Sequence, residues 1–373
     1  MKYFFSLVLS VAVLLAGVPA VYAEVSAPGV NASAYVLYCA DNFQVILSRN
    51  MNTPMGMAST TKIMTSLLAL EYAQKDDKVV EFTAEMTAEG SSMYLKPGDK
   101  VHLSSLVAGM MTVSGNDAAN AAAIAVGGSE ERFVELMNLR AKEIGMNNTR
   151  FANPSGLPDE EHYSTAYDMA LLMTYALKNE DFRKITSQKN IQIDFVYPPS
   201  QRVTYTNHNR LLSSYEYCTG GKTGYTKSDG RCLVSSACKE GLTLVAVTLR
   251  DPQDWSDHTA LYEYGFASYK AVVPVEADRI YSVNVASSSV QSVRAVCRDF
   301  SVCVLKTEDA QRLNTRIFLV PLVFAPVEQG RILGKVVCTL DSKVIFEADL
   351  VSEKSADYIE TTGFLRFIRN LFR

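Results

Sequence analysis

A serine and a lysine lie three positions apart in residues 58–65, where the sequence predicts the start of a helix. From Ser59 to about Gln74 the residues are mostly good helix formers, with no Gly or Pro among them. On a helix, positions i and i+3 share a face, so the Lys62 amine can reach the Ser59 hydroxyl. A serine attacks only after a base has taken its proton, and a lysine is such a base once burial or a like charge has lowered its pKa. The spacing therefore predicts a nucleophile and its base, and free backbone N–H groups at the helix start could bind an oxyanion.

This pair is not specific by itself. Ser236 and Lys239 have the same spacing, in an apolar stretch that is typical of a strand. Serine is also a preferred N-cap residue, so an ordinary helix cap is the simplest explanation of Ser59 taken alone. The assignment depends on other polar residues that accompany the pair.

A second polar group, Ser114-Gly115-Asn116, lies between two predicted helices. Ser114 could relay a proton between Lys62 and a leaving group, and the Asn116 amide could hold a substrate carbonyl and the lysine in place. Ser-x-Asn also occurs elsewhere in the chain, so this spacing alone does not identify a catalytic group. Its assignment depends on the other polar groups.

A third polar group, Lys222-Thr223-Gly224, lies on a predicted strand. Lys222 offers a cation for a substrate carboxylate and, near Lys62, a like charge that lowers the pKa of that lysine. Gly224 lets a substrate backbone approach the strand. A lysine on a strand is usually a solvated edge residue, but Lys-Thr-Gly occurs only here in the chain.

The three groups, in this order, are the motif set of penicillin-binding proteins and serine β-lactamases. The surrounding sequence resembles one branch closely, the D-alanyl-D-alanine carboxypeptidases of the low-molecular-weight penicillin-binding proteins. The resemblance spans residues 30–270, with a weaker similarity of layout beyond. The matching text is Ala58-Ser59-Thr60-Thr61-Lys62-Ile63-Met64-Thr65, Ser114-Gly115-Asn116-Asp117-Ala118-Ala119, Asn153-Pro154-Ser155-Gly156-Leu157, His162-Tyr163-Ser164-Thr165-Ala166 and Gly221-Lys222-Thr223-Gly224-Tyr225-Thr226.

This resemblance implies an acyl-enzyme mechanism on peptidoglycan stem peptides, with β-lactam antibiotics as inhibitors. Ser59 would attack the carbonyl between the two terminal D-alanines, and Lys62 would take its proton. Ser114 would pass a proton to the departing D-alanine, and water would then free the shortened peptide. The expected catalytic residues are thus Ser59, Lys62 and Ser114.

The resemblance also implies how the substrate is held. The backbone N–H groups of Ser59 and Tyr225 would form the oxyanion hole, while Lys222 and Thr223 would bind the terminal carboxylate. No metal and no cofactor is expected. The expected substrate-binding residues are Asn116, Lys222, Thr223, Gly224 and Tyr225.

The sequence departs from the family pattern in two places. Some members carry an arginine after the last strand that helps to bind the carboxylate, whereas residues 252–263 contain none. Ser155 lies in a loop where relatives often have His, and it is given no role. The carboxylate site therefore lacks one expected contact.

The composition is that of a globular protein, with 373 residues, 48% hydrophobic and 20% charged. A net charge of −4 argues against a general nucleic-acid surface. The four histidines show no paired metal-ligand spacing, which argues against a metallohydrolase. The seven cysteines, an odd number, are not a disulfide framework, although one or two bridges, for instance between Cys297 and Cys303, remain open.

The resemblance implies a multi-layer α/β fold like that of β-lactamases and transpeptidases, in which an antiparallel sheet is flanked by helices and joined to an all-helical part. The elements predicted from the residues agree with that order. The sheet is expected to combine a hairpin at 34–39 and 43–47 with strands at 191–196, 219–226, 231–237 and 242–249. After the Ser59 helix, further helices are predicted at 104–112, 116–126, 129–144, 165–177 and 255–269.

From about residue 275 the chain shows only short strand-like runs, at 282–285, 316–323 and 335–340. They predict a small β-rich C-terminal domain. The predicted domains are a signal peptide (1–23), a serine peptidase domain (24–272), the β-rich domain (273–358) and a C-terminal amphipathic helix for membrane association (359–373).

The first residues have the form of a secretory signal: Lys2, an apolar run over 4–15, and small residues that end at Ala23. We expect cleavage after Ala23, the alternative being an uncleaved membrane anchor. Either outcome exports the body of the protein to the periplasm or the cell-wall side.

The last eleven residues, 363–373, are amphipathic when wound as a helix. Large apolar residues on one face and only positive charge opposite are typical of an interfacial helix on an anionic membrane. The segment is too short to span a bilayer, and the alternative is a helix docked on the β-rich domain. The apolar face is Phe364, Phe367, Ile368 and Leu371, and the cationic face is Arg366, Arg369 and Arg373.

Other activities stay open at this point. A class A β-lactamase shares the first and third motifs, but it usually has Ser-Asp-Asn at residues 114–116, and we find no deacylating glutamate motif. A wall- or membrane-binding homologue without turnover is a non-enzymatic alternative, which the intact polar groups disfavour. A D,D-endopeptidase or transpeptidase differs in groove depth, which the sequence does not show.

Overall fold

The computed structural model describes residues 26–273, 279–298 and 302–359. The predicted signal peptide and the terminal segment 363–373 lie outside these residues. No helix within the described ranges is long and apolar enough to cross a membrane. The helices are α1 (Lys62–Ala73), α2 (Leu103–Val113), α3 (Asn116–Gly127), α4 (Glu130–Ile144), α5 (Ala166–Ala176), α6 (Glu180–Thr186), α7 (Leu211–Ser214) and α8 (Asp254–Ser268).

The strands fall into two groups along the chain. Those of the first part are β1 (Ala34–Cys39), β2 (Gln44–Arg49), β3 (Val79–Glu81), β4 (Lys100–His102), β5 (Asn190–Asp194), β6 (Arg202–Thr206), β7 (Cys218–Thr226), β8 (Gly230–Lys239), β9 (Leu242–Leu249) and β10 (Tyr269–Val272). Those of the second part are β11 (Tyr281–Ala286), β12 (Ser292–Cys297), β13 (Cys303–Lys306), β14 (Asn314–Leu319), β15 (Leu322–Phe324), β16 (Ile332–Leu340) and β17 (Lys343–Ser352).

An antiparallel sheet with the strand order β2-β1-β9-β8-β7 forms the middle layer. Alternate residues of each strand point to opposite faces. On β1, Val36 and Tyr38 pack into one hydrophobic core with α1, α2, α3 and α5. The intervening Leu37 packs into a second core that contains Leu261 and Tyr262 of α8. The predicted sheet between helical layers is thus confirmed.

The all-helical part surrounds α1, whose residues from Lys62 to Leu67 are all buried. The alanine-rich helix α3 packs against α1, α2 and α4, as small side chains allow close approach of helices. It ends at Gly128, which takes the left-handed conformation (φ 82°) that a helix C-terminus often needs. The predicted helices of this region are confirmed, with ends shifted by at most one residue except at α1, which begins three residues after Ser59.

One strand prediction is wrong. The sequence predicts that 191–196 belongs to the main sheet, but in the described residues β5 pairs with β6 in a separate two-stranded ribbon. Alternate residues explain the difference: Ile193 and Tyr205 are buried against the helical part, while their neighbours on each strand are more exposed. The Tyr205 hydroxyl also donates to the Met93 carbonyl oxygen at 2.9 Å. One apolar face therefore covers α2 rather than extending the sheet.

The C-terminal part is a separate β structure, as predicted. A six-stranded sheet has the order β14-β16-β17-β12-β11-β15, antiparallel except for the β11–β15 pair. It has its own core around Leu333, Val336 and Leu350. A short β10–β13 ribbon connects it to the first part, since β10 follows α8 directly. The exact domain bounds remain a prediction.

Candidate active site

Ser59 lies in a 3-10 turn (Ala58–Thr61) that leads directly into α1. The sequence placed it at a helix start, and the structure adds the tighter first turn. Ser59 is half-buried, whereas Thr60, Thr61 and Lys62 are fully buried. Ala58, just before it, has a left-handed backbone (φ 48°), which costs a non-glycine residue roughly 1–2 kcal/mol. The surrounding contacts must hold this conformation.

The Lys62 amine is completely buried and contacts Ser59. Its Nζ lies 3.0 Å from Ser59 Oγ, 2.7 Å from Asn116 Oδ1, and within hydrogen-bonding distance of the Ser155 carbonyl oxygen. Asn116 and Ser155 supply two acceptors, one for each hydrogen of a neutral amine. The lone pair of that amine is then left to face the Ser59 hydroxyl. This is the geometry that a general base requires.

Burial and charge both favour the neutral form of Lys62. Burial lowers the pKa of Lys62 well below its ordinary value, and the positive charge of Lys222 lowers it further. The carboxylate of Asp117 acts in the opposite direction and is the weakest of the three effects. Burial also lowers the pKa of Lys222, to about 7. A neutral Lys62 beside a cationic Lys222 is therefore accessible near neutral pH.

Lys222 joins the second and third polar groups. Its Nζ donates to Ser114 Oγ at 3.1 Å and to the Thr223 carbonyl oxygen at 2.8 Å. Ser114 is the C-cap of α2, and its left-handed backbone (φ 62°) turns the chain into α3. The residues that the sequence selected thus form two hydrogen-bonded sets: Lys62 with Ser59 and Asn116, and Lys222 with Ser114. Ser114 and Asn116 are two positions apart at the turn between α2 and α3, so the two sets are neighbours.

The Asn116 side chain is oriented by the segment before it in the chain. Its Nδ2 donates to the Glu89 carbonyl oxygen at 2.6 Å, so Oδ1 is the atom that faces Lys62. The Asn116 backbone N–H donates to Ser91. The buried carboxylate of Asp117 holds the same segment, through the Met93 N–H (2.9 Å) and the Ser92 hydroxyl (2.7 Å). Residues 89–95 were not identified from the sequence, because backbone contacts leave no residue-type signature.

Ser155, to which the sequence assigned no role, contributes through its backbone. Its carbonyl oxygen accepts a hydrogen bond from Lys62, and Asn153 Oδ1 accepts the backbone N–H groups of residues 155–157. Gly156 has φ 82°, and a Cβ there would come within 2.0 Å of the Ala58 carbonyl oxygen. The sequence Asn-Pro-Ser-Gly is typical of a turn and could have identified this loop as ordered. It could not have predicted that the Ser155 carbonyl oxygen contacts Lys62.

Strand β7 passes close to Ser59. A Cβ at Gly224 would lie 3.0 Å from the Ser59 backbone nitrogen, so any larger residue would crowd this approach and push the two segments apart by a few tenths of an ångström. The next residue, Tyr225, brings its backbone to the same region and leaves its side chain 67% exposed. The two segments that carry the expected oxyanion N–H groups are therefore adjacent.

A guanidinium lies next to β7 although residues 252–263 have no arginine. Arg231 on β8 is the register partner of Tyr225. Its Nη2 donates to both carboxylate oxygens of the buried Asp254, at 2.6 and 2.9 Å. The sequence has no arginine in that segment, and Asp254 in the same segment holds an arginine from a neighbouring strand.

The arrangement can perform nucleophilic catalysis by a serine with a lysine base. The site offers a half-buried hydroxyl, a buried amine that favours its neutral form, a second lysine and a strand open to an extended substrate. Within the described ranges, no group of three or more His, Cys, Asp or Glu residues is arranged to hold a metal ion.

Comparison with known proteins gives one consistent result. Residues 22–253 match the D-alanyl-D-alanine carboxypeptidase family of S11 peptidases, and residues 269–357 match the C-terminal domain of penicillin-binding protein 5. The D-alanyl-D-alanine carboxypeptidase DacF of Bacillus subtilis is 31% identical over 91% of this chain and 88% of its own length.

Two solved structures extend the similarity to the fold. Penicillin-binding protein 5 from Haemophilus influenzae has a TM-score of 0.68 at 28% identity, over 89% of this chain and 99% of that one. The Streptomyces K15 DD-transpeptidase has a TM-score of 0.62 at 31% identity, over 65% of this chain and 100% of that one. The first similarity extends through the β-rich part, whereas the second covers a smaller share of the chain.

Proposed function

Since this chain belongs to the D-alanyl-D-alanine carboxypeptidase family, we propose that it removes the terminal D-alanine from peptidoglycan stem pentapeptides through an acyl-enzyme on Ser59. The observation that carries the residue assignment is the buried Lys62 amine, 3.0 Å from Ser59 Oγ, with its other hydrogen-bonding positions filled by Asn116 and Ser155. Only a neutral amine in that setting leaves a lone pair for the serine proton.

In the acylation step, Ser59 Oγ attacks the carbonyl carbon between the two D-alanines while its proton passes to Lys62 Nζ. The developing oxyanion accepts hydrogen bonds from the backbone N–H groups of Ser59 and Tyr225, on the two segments that meet at Gly224. When the C–N bond breaks, Ser114 donates its hydroxyl proton to the departing D-alanine and takes the proton that Lys62 accepted, which returns Lys62 to its neutral form. Lys222, whose Nζ donates to Ser114 Oγ at 3.1 Å, keeps its own proton.

The third group binds the end of the substrate. The Lys222 ammonium and the Thr223 hydroxyl hold the terminal carboxylate, and that negative charge in turn stabilises the protonated form of Lys222. Gly224 leaves room for the substrate backbone beside β7. A water molecule activated by Lys62 then attacks the acyl-enzyme, which releases the shortened peptide and regenerates the Ser59 hydroxyl.

Product analysis on a pentapeptide stem with an added amine acceptor tests this function. We expect free D-alanine and tetrapeptide as the main products, because a carboxypeptidase transfers the acyl group to water. Transfer to the amine as the main route would instead indicate a transpeptidase, an activity named for a structural relative of this chain. Cleavage of cross-linked dimers alone, with pentapeptide untouched, would indicate an endopeptidase and contradict the proposal.

We further propose that the protein is exported and held on the outer side of the cytoplasmic membrane, where it acts in cell-wall biogenesis. The signal-like residues 1–23 and the Arg- and Phe-rich residues 363–373 support this location. The described chain extends to Ile359, so the terminal segment follows the β-rich domain directly.

Truncation before Gly363 should release the protein from anionic vesicles. We expect the full mature chain to sediment with such vesicles, and less so at high salt, because part of the attraction is a screened surface potential. Replacing Arg366, Arg369 and Arg373 with Gln while keeping the aromatic face should leave weaker binding with little salt dependence. A truncated chain that binds vesicles as strongly as the full one would contradict the membrane role of this segment.

A further inference from the structure

The two expected oxyanion donors belong to different segments, so their separation must be held by a contact between those segments. Ser59 follows the left-handed residue Ala58, and Tyr225 lies just before the end of β7. A donor displaced by about 1 Å loses much of its effect on the transition state. The contact that joins these segments is therefore important for the rate.

Asp229 makes that contact. It lies in the turn between β7 and β8, and its Oδ2 accepts the backbone N–H of Ala58 at 3.1 Å, across 171 positions of sequence. Its own backbone N–H donates to Thr226 Oγ1 at 3.0 Å, next to Tyr225. Asp229 thus forms hydrogen bonds with Ala58 and Thr226, the residues next to Ser59 and Tyr225 in the chain.

The surroundings hold the Asp229 carboxylate in place. The Ser228 hydroxyl donates to Oδ1 at 2.9 Å, and Arg250 Nη2 donates to the Ser228 carbonyl oxygen at 2.7 Å. On the opposite side, a Cβ at Gly56 would come within 2.3 Å of Oδ1, so the glycine leaves the space that the carboxylate occupies. The turn and the 56–59 segment fit together through this one side chain.

The peptide groups on both sides of Ala58 are bonded. Its N–H donates to Asp229, and its carbonyl oxygen accepts from Thr61 Oγ1 at 2.8 Å. Thr61 Oγ1 also lies 2.7 Å from His162 Nε2, while His162 Nδ1 accepts the Ala152 N–H. The carbonyl contact is local to the turn, whereas the Asp229 contact reaches across to the β7 side.

We propose that Asp229 is a positioning residue for the proposed acyl transfer: its carboxylate maintains the left-handed conformation of Ala58 and the separation of the Ser59 and Tyr225 N–H groups. It does not touch the substrate. The inference rests on the proposed function, since the oxyanion hole is defined by it. The chain offers no other side chain that accepts the Ala58 N–H among the described hydrogen bonds.

The test measures β-lactam acylation and hydrolysis of a depsipeptide ester and its thionoester. Sulfur is a weaker hydrogen-bond acceptor than oxygen, so the ester-to-thionoester rate ratio reports on the oxyanion hole. For Asp229→Ala we expect acylation to fall about 10- to 100-fold, with a smaller rate ratio and nearly unchanged non-covalent affinity. Asp229→Asn keeps an acceptor oxygen and should recover most of the rate.

Two further variants separate positioning from general destabilisation. Gly56→Ala displaces the carboxylate without removing it and should reproduce the lower rate ratio. Asp41→Ala is the matched control, because Asp41 Oδ2 accepts the Thr243 N–H at 2.7 Å over a comparable sequence separation, at the opposite end of the sheet. It should lower thermal stability at most and leave the rate ratio unchanged.

A wild-type rate in Asp229→Ala, or a lower rate with the wild-type ester-to-thionoester ratio, would overturn the inference. Those outcomes leave the proposed function intact, because wild-type protein would still form the Ser59 adduct. Failure of wild-type protein to form that adduct would overturn the proposed function instead.

Discussion

Replacing Ser59 with Ala should abolish covalent labelling by a fluorescent penicillin and reduce D-alanine release to background. The expected loss is at least about 10⁴-fold, because the variant lacks the hydroxyl that contacts the buried Lys62 amine at 3.0 Å. The measurement is a labelled band after denaturing electrophoresis, together with the mass of the adduct on the active-site peptide. The variant should remain folded, since the Ser59 hydroxyl contributes only its contact with Lys62 among the described side-chain hydrogen bonds.

The matched control is Ser236→Ala, at the other Ser-x-x-Lys spacing in the chain. Ser236 is buried on β8 and pairs with Thr219 Oγ1 at 2.7 Å, away from any amine contact in the described hydrogen bonds. This variant should label like the wild type, with some loss of stability from the broken hydrogen bond. Labelling that persists in Ser59→Ala, with the adduct mapped elsewhere, would show that the nucleophile is misassigned.

The contrast between these two serines shows what the sequence could predict. Both serines lie three positions before a lysine. The two pairs differ in the element that carries them, a helix for Ser59 and a strand for Ser236. The helical pattern after Ser59 and the apolar run around Ser236 were both correctly interpreted, because periodicity is carried by side-chain types. The Lys-Thr-Gly strand and the Ser-Gly-Asn turn between helices could be placed for the same reason.

The contacts missed by the sequence are those made through backbone atoms. The Ser155 carbonyl oxygen accepts from Lys62, and the Glu89 carbonyl oxygen orients Asn116, yet any residue type could supply either group. The partner of a strand was also harder to predict than the strand itself. The predicted strand 191–196 overlaps β5 (Asn190–Asp194), but β5 pairs with β6 and packs its one apolar face on the helical part. Long-range side-chain contacts such as Asp229 with Ala58 join positions whose spacing carries no signal.

The Lys62→Arg variant should acylate about 10²–10⁴-fold more slowly than the wild type, the range that a general base contributes. Guanidinium stays protonated at every accessible pH and cannot accept the Ser59 proton. Its larger head is also too big for the buried amine site, so stability should be checked by thermal unfolding. Lys239→Arg, in the second Ser-x-x-Lys stretch, is the matched control and should retain the wild-type rate.

A second variant removes the base without adding volume. Lys62→Ala should be as slow as Lys62→Arg, but the space it creates could admit a small alkylamine, which is neutral in part at alkaline pH. Rescue of acylation by such an amine, increasing with the concentration of its free-base form, would connect the loss to the missing base rather than to misfolding. A Lys62→Arg enzyme that acylates near the wild-type rate would remove this lysine from the mechanism.

The pH dependence of acylation gives the same assignment an independent test. Acylation needs neutral Lys62, so the rate should rise with pH through the pKa of Lys62, which burial and the Lys222 charge place well below the ordinary lysine value. Binding of the substrate carboxylate needs cationic Lys222, whose pKa in the free enzyme is lowered to about 7, so kcat/KM should fall at higher pH. The expected profile is a bell with Lys62 on its acid side.

Lys222→Gln separates the two limbs of that profile. Without the neighbouring positive charge, the ammonium form of Lys62 is less disfavoured, so the pKa of Lys62 rises and the acid limb moves to higher pH. The alkaline limb should disappear, because the group that loses its proton there is gone, and KM should increase as the carboxylate loses its cation. Burial is the larger cause of the low Lys62 pKa, so the limb should shift without reaching the position of an exposed lysine. If the acid limb stays at the same pH in Lys222→Gln, the group that titrates on that limb is not Lys62.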